Sequence, residues 1–340
     1  MTTPPHANML ARALRDFFTD YLPRLRGLST HTIHSYRDTL SLLLRFMVAQ
    51  RGQAVGTLDL LHIDAADVTA FLDHLETGRS NSVTTRNCRL AALHAFFRFA
   101  GTADPEQLGR SQRILAIPFK RARQRSIEYL EEDELEAVLS TVNRATPEGR
   151  RDYALLAILF NTGARVQEAL NLRGQDLQLT RPFQVRLFGK GRKERVCPLW
   201  PQTAAVLRDF CAERHVDLRA ATPIFLNHRG QPLTRFGVRY LLTKYLRSAR
   251  AVTPALTNKR LHPHSIRHSS AVHLLKSGVA ITTICDWLGH ASLMTTNKYA
   301  TADLDMKRKA LEQAHPPNEP SAGGANWRRD ASILDWLATL

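Results

Sequence analysis

The stretch from Leu261 to Ala300 reads LHPHSIRHSSAVHLLKSGVAITTICDWLGHASLMTTNKYA. It holds His264, Arg267, His268, His290 and Tyr299, and its one carboxylate is Asp286. Proton donors and cations gathered without balancing carboxylates favour an anion, above all a phosphate. The spacing H-x-H-x-x-x-H over His262, His264 and His268 is not a usual zinc spacing, so a metal reading is set aside. Ile284, Trp287 and Leu288 read as core, and His268 as a packing or supporting residue. By itself the stretch fits either a phosphate pocket or a packed helix pair. Residues far upstream decide between them.

The whole chain has 340 residues, enough for two domains, and 44% of them are hydrophobic, enough for ordinary cores. Lys and Arg number 47 against 31 Asp and Glu, a formal charge of +16, which favours a polyanionic partner. No apolar run approaches the roughly 18 to 20 residues of a membrane span. No secretory signal opens the chain, so no membrane partner is expected. Cys88, Cys197, Cys211 and Cys285 are scattered with no C-x-x-C pair. They read as reduced thiols, in a cytoplasmic, nucleoid-associated protein.

Residues 1–9 read as a flexible N-terminus, and residues 10–101 as a helical bundle. Leu10, Leu14, Phe17, Phe18 and Tyr21 have helical spacing, and Pro23 and Gly27 are expected to end that helix. Ser29 caps a second helix running to about Gly52, Asp64 and Asp67 open a third, and Ser82 precedes a fourth with Gly101 as its stop. Arg37, Arg86 and Arg89 are candidate DNA contacts, the last two because short polar residues and Arg at a helix N-terminus suit a groove. Residues 102–125 read as an aperiodic basic linker whose Arg121, Arg123 and Arg125 would track a phosphate backbone.

From residue 126 a second domain begins. An acidic turn at Glu131–Glu134 opens a helix, and a strongly apolar helix from Arg151 to Phe160 breaks at Gly163 and restarts, placing Arg165 at a turn. Gln184–Phe188 and Glu194–Leu199 read as a hairpin around Gly189–Lys193. That tip carries Lys190, Arg192 and Lys193, where a nucleic-acid backbone would meet it, and it lacks the order of a Walker loop. Residues 202–214 and 235–251 read as helices, residues 126–315 close the domain, and residues 316–340 form a Pro/Gly/Ser-rich linker and a terminal amphipathic segment.

Arg165 in T-G-A-R, Lys190 in G-K-G, His264 and Arg267 in H-x-x-R-H, His290 in L-G-H and Tyr299 nine residues on resemble the tyrosine recombinases, the phage-integrase family, in order, spacing and context. The resemblance covers about residues 10 to 310. It implies a mainly α, two-domain chain: an N-terminal helical-bundle core-binding domain and a C-terminal α+β catalytic domain with a small antiparallel sheet.

The resemblance also implies a site-specific recombinase or integrase that cuts and rejoins DNA through a 3′-phosphotyrosine, with Tyr299 as nucleophile. Arg165, Arg267 and His290 would hold the phosphate oxygens, and Lys190 would protonate the leaving 5′-oxygen. His264 would be the base or proton shuttle, and Glu168 a support for the site. No metal and no ATP are expected. The expected partners are double-stranded DNA with inverted-repeat sites, further copies of the chain in a synaptic tetramer, and a partner recombinase or accessory protein. The long tail tilts the role toward a mobile element over Xer-type chromosome-dimer resolution. A type IB topoisomerase or a non-catalytic DNA-binding regulator are the more distant readings.

Overall fold

The computed structural model describes residues 8–103, 107–122, 127–189, 193–290 and 292–300. Lys190, Arg192, Arg123, Arg125, residues 1–7 and the segment beyond Ala300 lie outside the described residues. The chain folds as two compact units, Met1–Gln124 and Arg125–Leu340.

The first unit is helical. Helix α1 (Met9–Asp16) runs directly into a π-helical segment, Phe17–Leu25. The sequence places the end at Pro23 and Gly27; the helical path passes through Pro23 and ends at Leu25, just before Gly27 at φ 56°. The wider π turn accommodates the missing proline donor, while Phe17 and Leu22 stay buried. Helix α2 (Thr30–Arg51) is capped by Ser29 and ends at Gly52 with φ 62°. Helix α3 (Ala65–Thr77) opens on reciprocal bonds between Asp64 and Asp67. Phe17, Leu43, Phe71, Leu72, Leu90 and Phe96 fill the core between these elements and the long helix α4 (Val83–Ala103).

Two expectations for this unit are corrected. Gly101 does not stop α4, which continues to Ala103, and the supposed linker contains a further helix, α5 (Leu108–Leu115). A Cβ at Gly101 would come within 2.8 Å of Ser111 Cβ, so the glycine serves close helix approach. Helix α5 gave little periodic signal because it buries little, chiefly Ser111 and Ile114.

The second unit surrounds a small sheet. Helix α6 (Glu132–Ser140) follows the acidic turn, and α7 (Pro147–Thr162) begins with Thr146 as cap and a proline in its first turn. Gly163, at φ 56°, turns the chain into the short helix α8 (Val166–Leu170). Strands β1 (Leu177–Gln178), β2 (Gln184–Phe188) and β3 (Glu194–Pro198) pair antiparallel in that order, with Val185 opposite Cys197 and Leu187 opposite Arg195. Val185 and Leu187 are fully buried, as the alternation requires.

Helices α9 (Pro201–Glu213) and α10 (Arg235–Arg250) extend the same core. Helices α11 (Pro263–Lys276), α12 (Ile281–Leu288) and α13 (Leu293–Ala300) form a smaller cluster around Val272, Leu275, Ile284, Leu288 and Tyr299. No helix among the described residues is long and apolar enough to cross a membrane.

Candidate active site

Arg267 is the anchor of the site. It is 3% exposed, and its guanidinium donates to the Gly163 carbonyl from Nη1 and to the Leu288 carbonyl from Nη2, each at 2.6 Å. One side chain thus ties the end of α7 to the end of α12. Both helices finish at left-handed glycines, Gly163 and Gly289, whose turns present those last carbonyls. A Cβ at Gly163 would crowd Leu288 Cδ2 and sit on a left-handed backbone, so glycine suits the close approach of the two ends. Burial, then the charge of Arg165, push the Arg267 pKa down to about 10, which still leaves it cationic at neutral pH.

Arg165 precedes α8. Its backbone N–H donates to Glu168 Oε2 at 3.0 Å and its Nη1 to Glu168 Oε1 at 2.7 Å. The second cation on Glu168 is Arg195, whose Nη2 donates to Oε2 at 2.6 Å and whose Nε donates to the Trp287 carbonyl at 2.9 Å. Burial raises the Glu168 carboxyl, but the bonds and charges of Arg195 and Arg165 together outweigh it and hold the pKa below its ordinary value. Glu168 is therefore a buried anion that fixes two guanidiniums.

His290 follows Gly289, and its Nδ1 pairs with Thr296 Oγ1 at 2.9 Å. Burial, then the charges of Arg267 and Arg165, lower its pKa to about 4, so the ring is neutral at pH 7. Tyr299 is 3% exposed. Its ring stacks on His290 with centroids 6.3 Å apart and planes at 14°, and its hydroxyl lies 3.0 Å from His268 Nδ1. Burial raises the phenol pKa against the opposing pull of Arg267 and Arg165.

His264 sits in the exposed first turn of α11, with its ring centroid 6.2 Å from that of His262. Partial desolvation, then the charges of His262, Arg267 and Arg165, move its pKa down. Among the described residues no hydrogen bond joins His264 to Tyr299.

The structure thus gathers Arg165, Glu168, Arg267, His290 and Tyr299 into one electrostatic cluster with His264 at its edge. Lys190 lies outside the described residues. Sequence reasoning missed Arg195 and Thr296, and took His268 for a packing or supporting residue. Arg195 carried a signal: it alternates with Cys197 and Leu199, so it had to point inward and find an anion.

The DNA-contact candidates divide. Arg37 is exposed, with Nη2 donating to Asp38 at 2.8 Å, and Arg121 and Lys193 are exposed. Arg86 and Arg89 are bonded within the protein. Arg86 is 4% exposed and its Nη1 donates to the Pro118 carbonyl at 3.1 Å. Arg89 Nη1 donates to the Ser35 carbonyl at 3.2 Å and to Thr39 Oγ1 at 2.9 Å. Arg86 lies at helical spacing from Leu90, Leu93 and Phe97, on the buried stripe of α4, which is why it faces protein.

The chain is similar to known proteins over both units. Residues 128–305 match the family model described as "Phage integrase family", and residues 16–103 match "Phage integrase, N-terminal SAM-like domain". The chain is 39% identical over 335 residues to a putative integrase/recombinase, y4rC, of Sinorhizobium fredii, covering 98% of this chain and 99% of that one. It is 32% identical to the tyrosine recombinase XerD of Listeria monocytogenes, over 89% of this chain and 99% of that one. Among solved structures, the XerH site-specific recombinase bound to a palindromic difH substrate superposes with a TM-score of 0.66 at 22% identity, covering 91% of this chain and 89% of that one.

Proposed function

The chain belongs to the phage integrase family and is a tyrosine-type site-specific DNA recombinase, and from that premise we propose that it exchanges strands through a 3′-phosphotyrosine formed by Tyr299. The observation that carries this reading is the placement of Tyr299. A buried phenol, in the field of Arg165 and Arg267, is stacked on the neutral ring of His290.

The chemistry follows from charge. Attack on a phosphodiester builds negative charge on its non-bridging oxygens, and fixed guanidiniums stabilise that charge without reorganising. Glu168 and the two helix-end carbonyls supply the fixing of Arg165 and Arg267. In the tautomer whose Nδ1 accepts from Thr296 Oγ1, the neutral His290 carries its proton on Nε2 and donates it to the same phosphate. An unperturbed phenol is ionised to about one part in a thousand at neutral pH, a deficit of roughly 4 kcal/mol that clustered cations and a proton acceptor offset. Lys190 protonates the leaving 5′-oxygen, and His264 relays protons at the exposed edge. The phosphotyrosine conserves the energy of the broken bond, so a second 5′-hydroxyl reverses the step with no ATP and no metal.

The substrate is double-stranded DNA carrying inverted-repeat sites, bound by a tetramer of the chain on the nucleoid, in the cytoplasm. The biological role is movement or integration of a mobile element. The match to the integrase/recombinase relative takes in nearly the whole chain, whereas the match to XerD covers 89% of it. Residues 326–340 serve subunit contact, and their deletion is expected to weaken synapsis while leaving phosphotyrosine formation intact.

A suicide substrate with a nicked strand tests the central step. Tyr299→Phe should bind DNA as wild type does and form no covalent protein–DNA species. A covalent adduct formed by that variant would overturn the assignment.

A further inference from the structure

Attack by Tyr299 requires that its proton go somewhere. Burial keeps the phenol protonated in the resting site. The resemblance gives proton shuttling to His264, yet the hydroxyl lies 3.0 Å from Nδ1 of a different residue, His268. The two histidines are four apart on α11, one turn from each other on the same face, and Arg267 between them is directed into the protein to hold Gly163 and Leu288. His264 occupies the exposed turn, and His268 the half-buried turn beside Tyr299. The tyrosine ring is also confined from the other side, where it stacks on His290.

We propose that His268 is the general base of the reaction: its Nδ1 accepts the Tyr299 proton as the phenol oxygen attacks phosphorus. This rests on the reading of Tyr299 as nucleophile. In the step, the tyrosine O–H bond breaks and its electron pair forms the new O–P bond. The proton moves to Nδ1, giving an imidazolium whose Nε2 already bears a proton. The bond from phosphorus to the 5′-oxygen breaks, and that oxygen is protonated by the general acid. In the reverse step a 5′-hydroxyl attacks, the bond from phosphorus to Tyr299 breaks, and the imidazolium returns its proton to the phenol oxygen.

Charged and titratable groups from several elements surround His268. His262 lies before α11 with its ring 6.4 Å away, Tyr299 comes from α13, and His290, from the turn after α12, senses the charge of His268. An imidazolium at His268 forms beside a phosphorane whose charge it balances, which favours proton transfer in step with attack.

The test uses the full chain and a suicide site whose scissile phosphate has a 5′-bridging sulfur. A thiolate leaves without an acid, so the measured rate of adduct formation reports the attack half alone. His268→Asn is the discriminating variant: its amide oxygen replaces Nδ1 as a hydrogen-bond acceptor but cannot take the proton. We expect H268N and H268A both to slow adduct formation about 100-fold at pH 7, with the loss shrinking as pH rises and DNA affinity unchanged. Adduct formation by H268N at the wild-type rate across pH overturns the proposal, even if H268A is slow, because acceptance of a hydrogen bond would then suffice.

Tyr299→Phe runs in parallel. An adduct from that variant overturns the nucleophile reading, whereas a dead Y299F beside a fully active H268N overturns this proposal alone. Should the His268 variants fail to fold, as judged by melting and DNA binding, the otherwise unchanged chain carrying 3,5-difluorotyrosine at position 299 decides. A more acidic phenol shares its proton with His268 and moves the acid limb of the pH profile to lower pH. An unmoved limb overturns the proposal.

Discussion

Glu168 and Arg195 are bonded at 2.6 Å, and through that bond β3 is fastened to the helix that follows Arg165. The same arginine reaches the Trp287 carbonyl, one residue before the end of α12. Arg195 therefore joins the hairpin strand, the first site arginine and the turn that carries His290. Its side chain is 11% exposed and that of Glu168 5%, so the pair is a buried one.

Arg195→Ala should be strongly destabilising. Breaking a buried ion pair outright costs about 3–5 kcal/mol, and losing Arg195 leaves buried Glu168 with Arg165 alone, so the cost falls toward the lower end of that range. Arg195→Lys keeps the charge but cannot donate to Glu168 and Trp287 together, so it should fold and cleave more slowly. Melting curves and single-turnover adduct formation check the two expectations. Wild-type melting of Arg195→Ala would show that the bond carries no structural load.

Glu168 gives stability a pH signature. Its folded pKa lies below its ordinary value of 4.5, so its contribution is fully present above that value and is lost as pH falls through the folded pKa. The stability gap between wild type and Glu168→Gln should be constant near neutrality and close below about pH 4.5. Urea unfolding of both proteins across pH measures it. A gap that persists unchanged into acid would contradict a depressed pKa.

His290 has a linkage of the same sign in a higher pH window. Its pKa drops from 6.5 in the unfolded chain to about 4 in the fold, so the unfolded chain binds the proton first. Stability from this group is full above pH 6.5 and falls progressively toward pH 4. NMR titration of the DNA-free protein should find His290 neutral at pH 6. A bound phosphate, by offsetting Arg165 and Arg267, should raise its pKa. Thr296→Val removes the bond to Nδ1, worth about 1 kcal/mol, and should slow cleavage roughly fivefold.

What the sequence revealed was unequal. Local signals were plain: Ser29 and Gly52 bound α2, Gly163 ends α7, and the alternation of Gln184–Phe188 is a strand in the structure, whereas α7 starts at Pro147, four residues before the Arg151 read from apolar spacing. Helix α5 was missed because so little of it is buried. Of the two residues expected to end the first helix, Gly27 lies just past its end, whereas the chain passes Pro23 in a π-helical segment that keeps Phe17 and Leu22 buried. At the site, the motif residues were legible from register. Arg195 offered only its alternation with Cys197 and Leu199, and the partners of Arg195 and Thr296 were not legible, because each contact closes only once the chain has folded. His268 was visible as a residue, but its bond to Tyr299 depends on how α11 and α13 cross.

The basic residues of the first unit should separate by experiment into two kinds. Arg86 is spent on the Pro118 carbonyl and Arg89 on Ser35 and Thr39, so each alanine substitution should lower the melting temperature. DNA affinity of the protein that remains folded should stay near wild type, with an unchanged salt dependence. Arg121 is exposed, and Arg121→Ala should leave melting unchanged. If Arg121 meets a phosphate, its loss should weaken binding uniformly across sequences and reduce the salt slope by about 1. Binding isotherms at several salt concentrations, read beside melting curves, distinguish the two kinds. A steep loss of DNA affinity in a stably folded Arg89→Ala variant would return that residue to the DNA face.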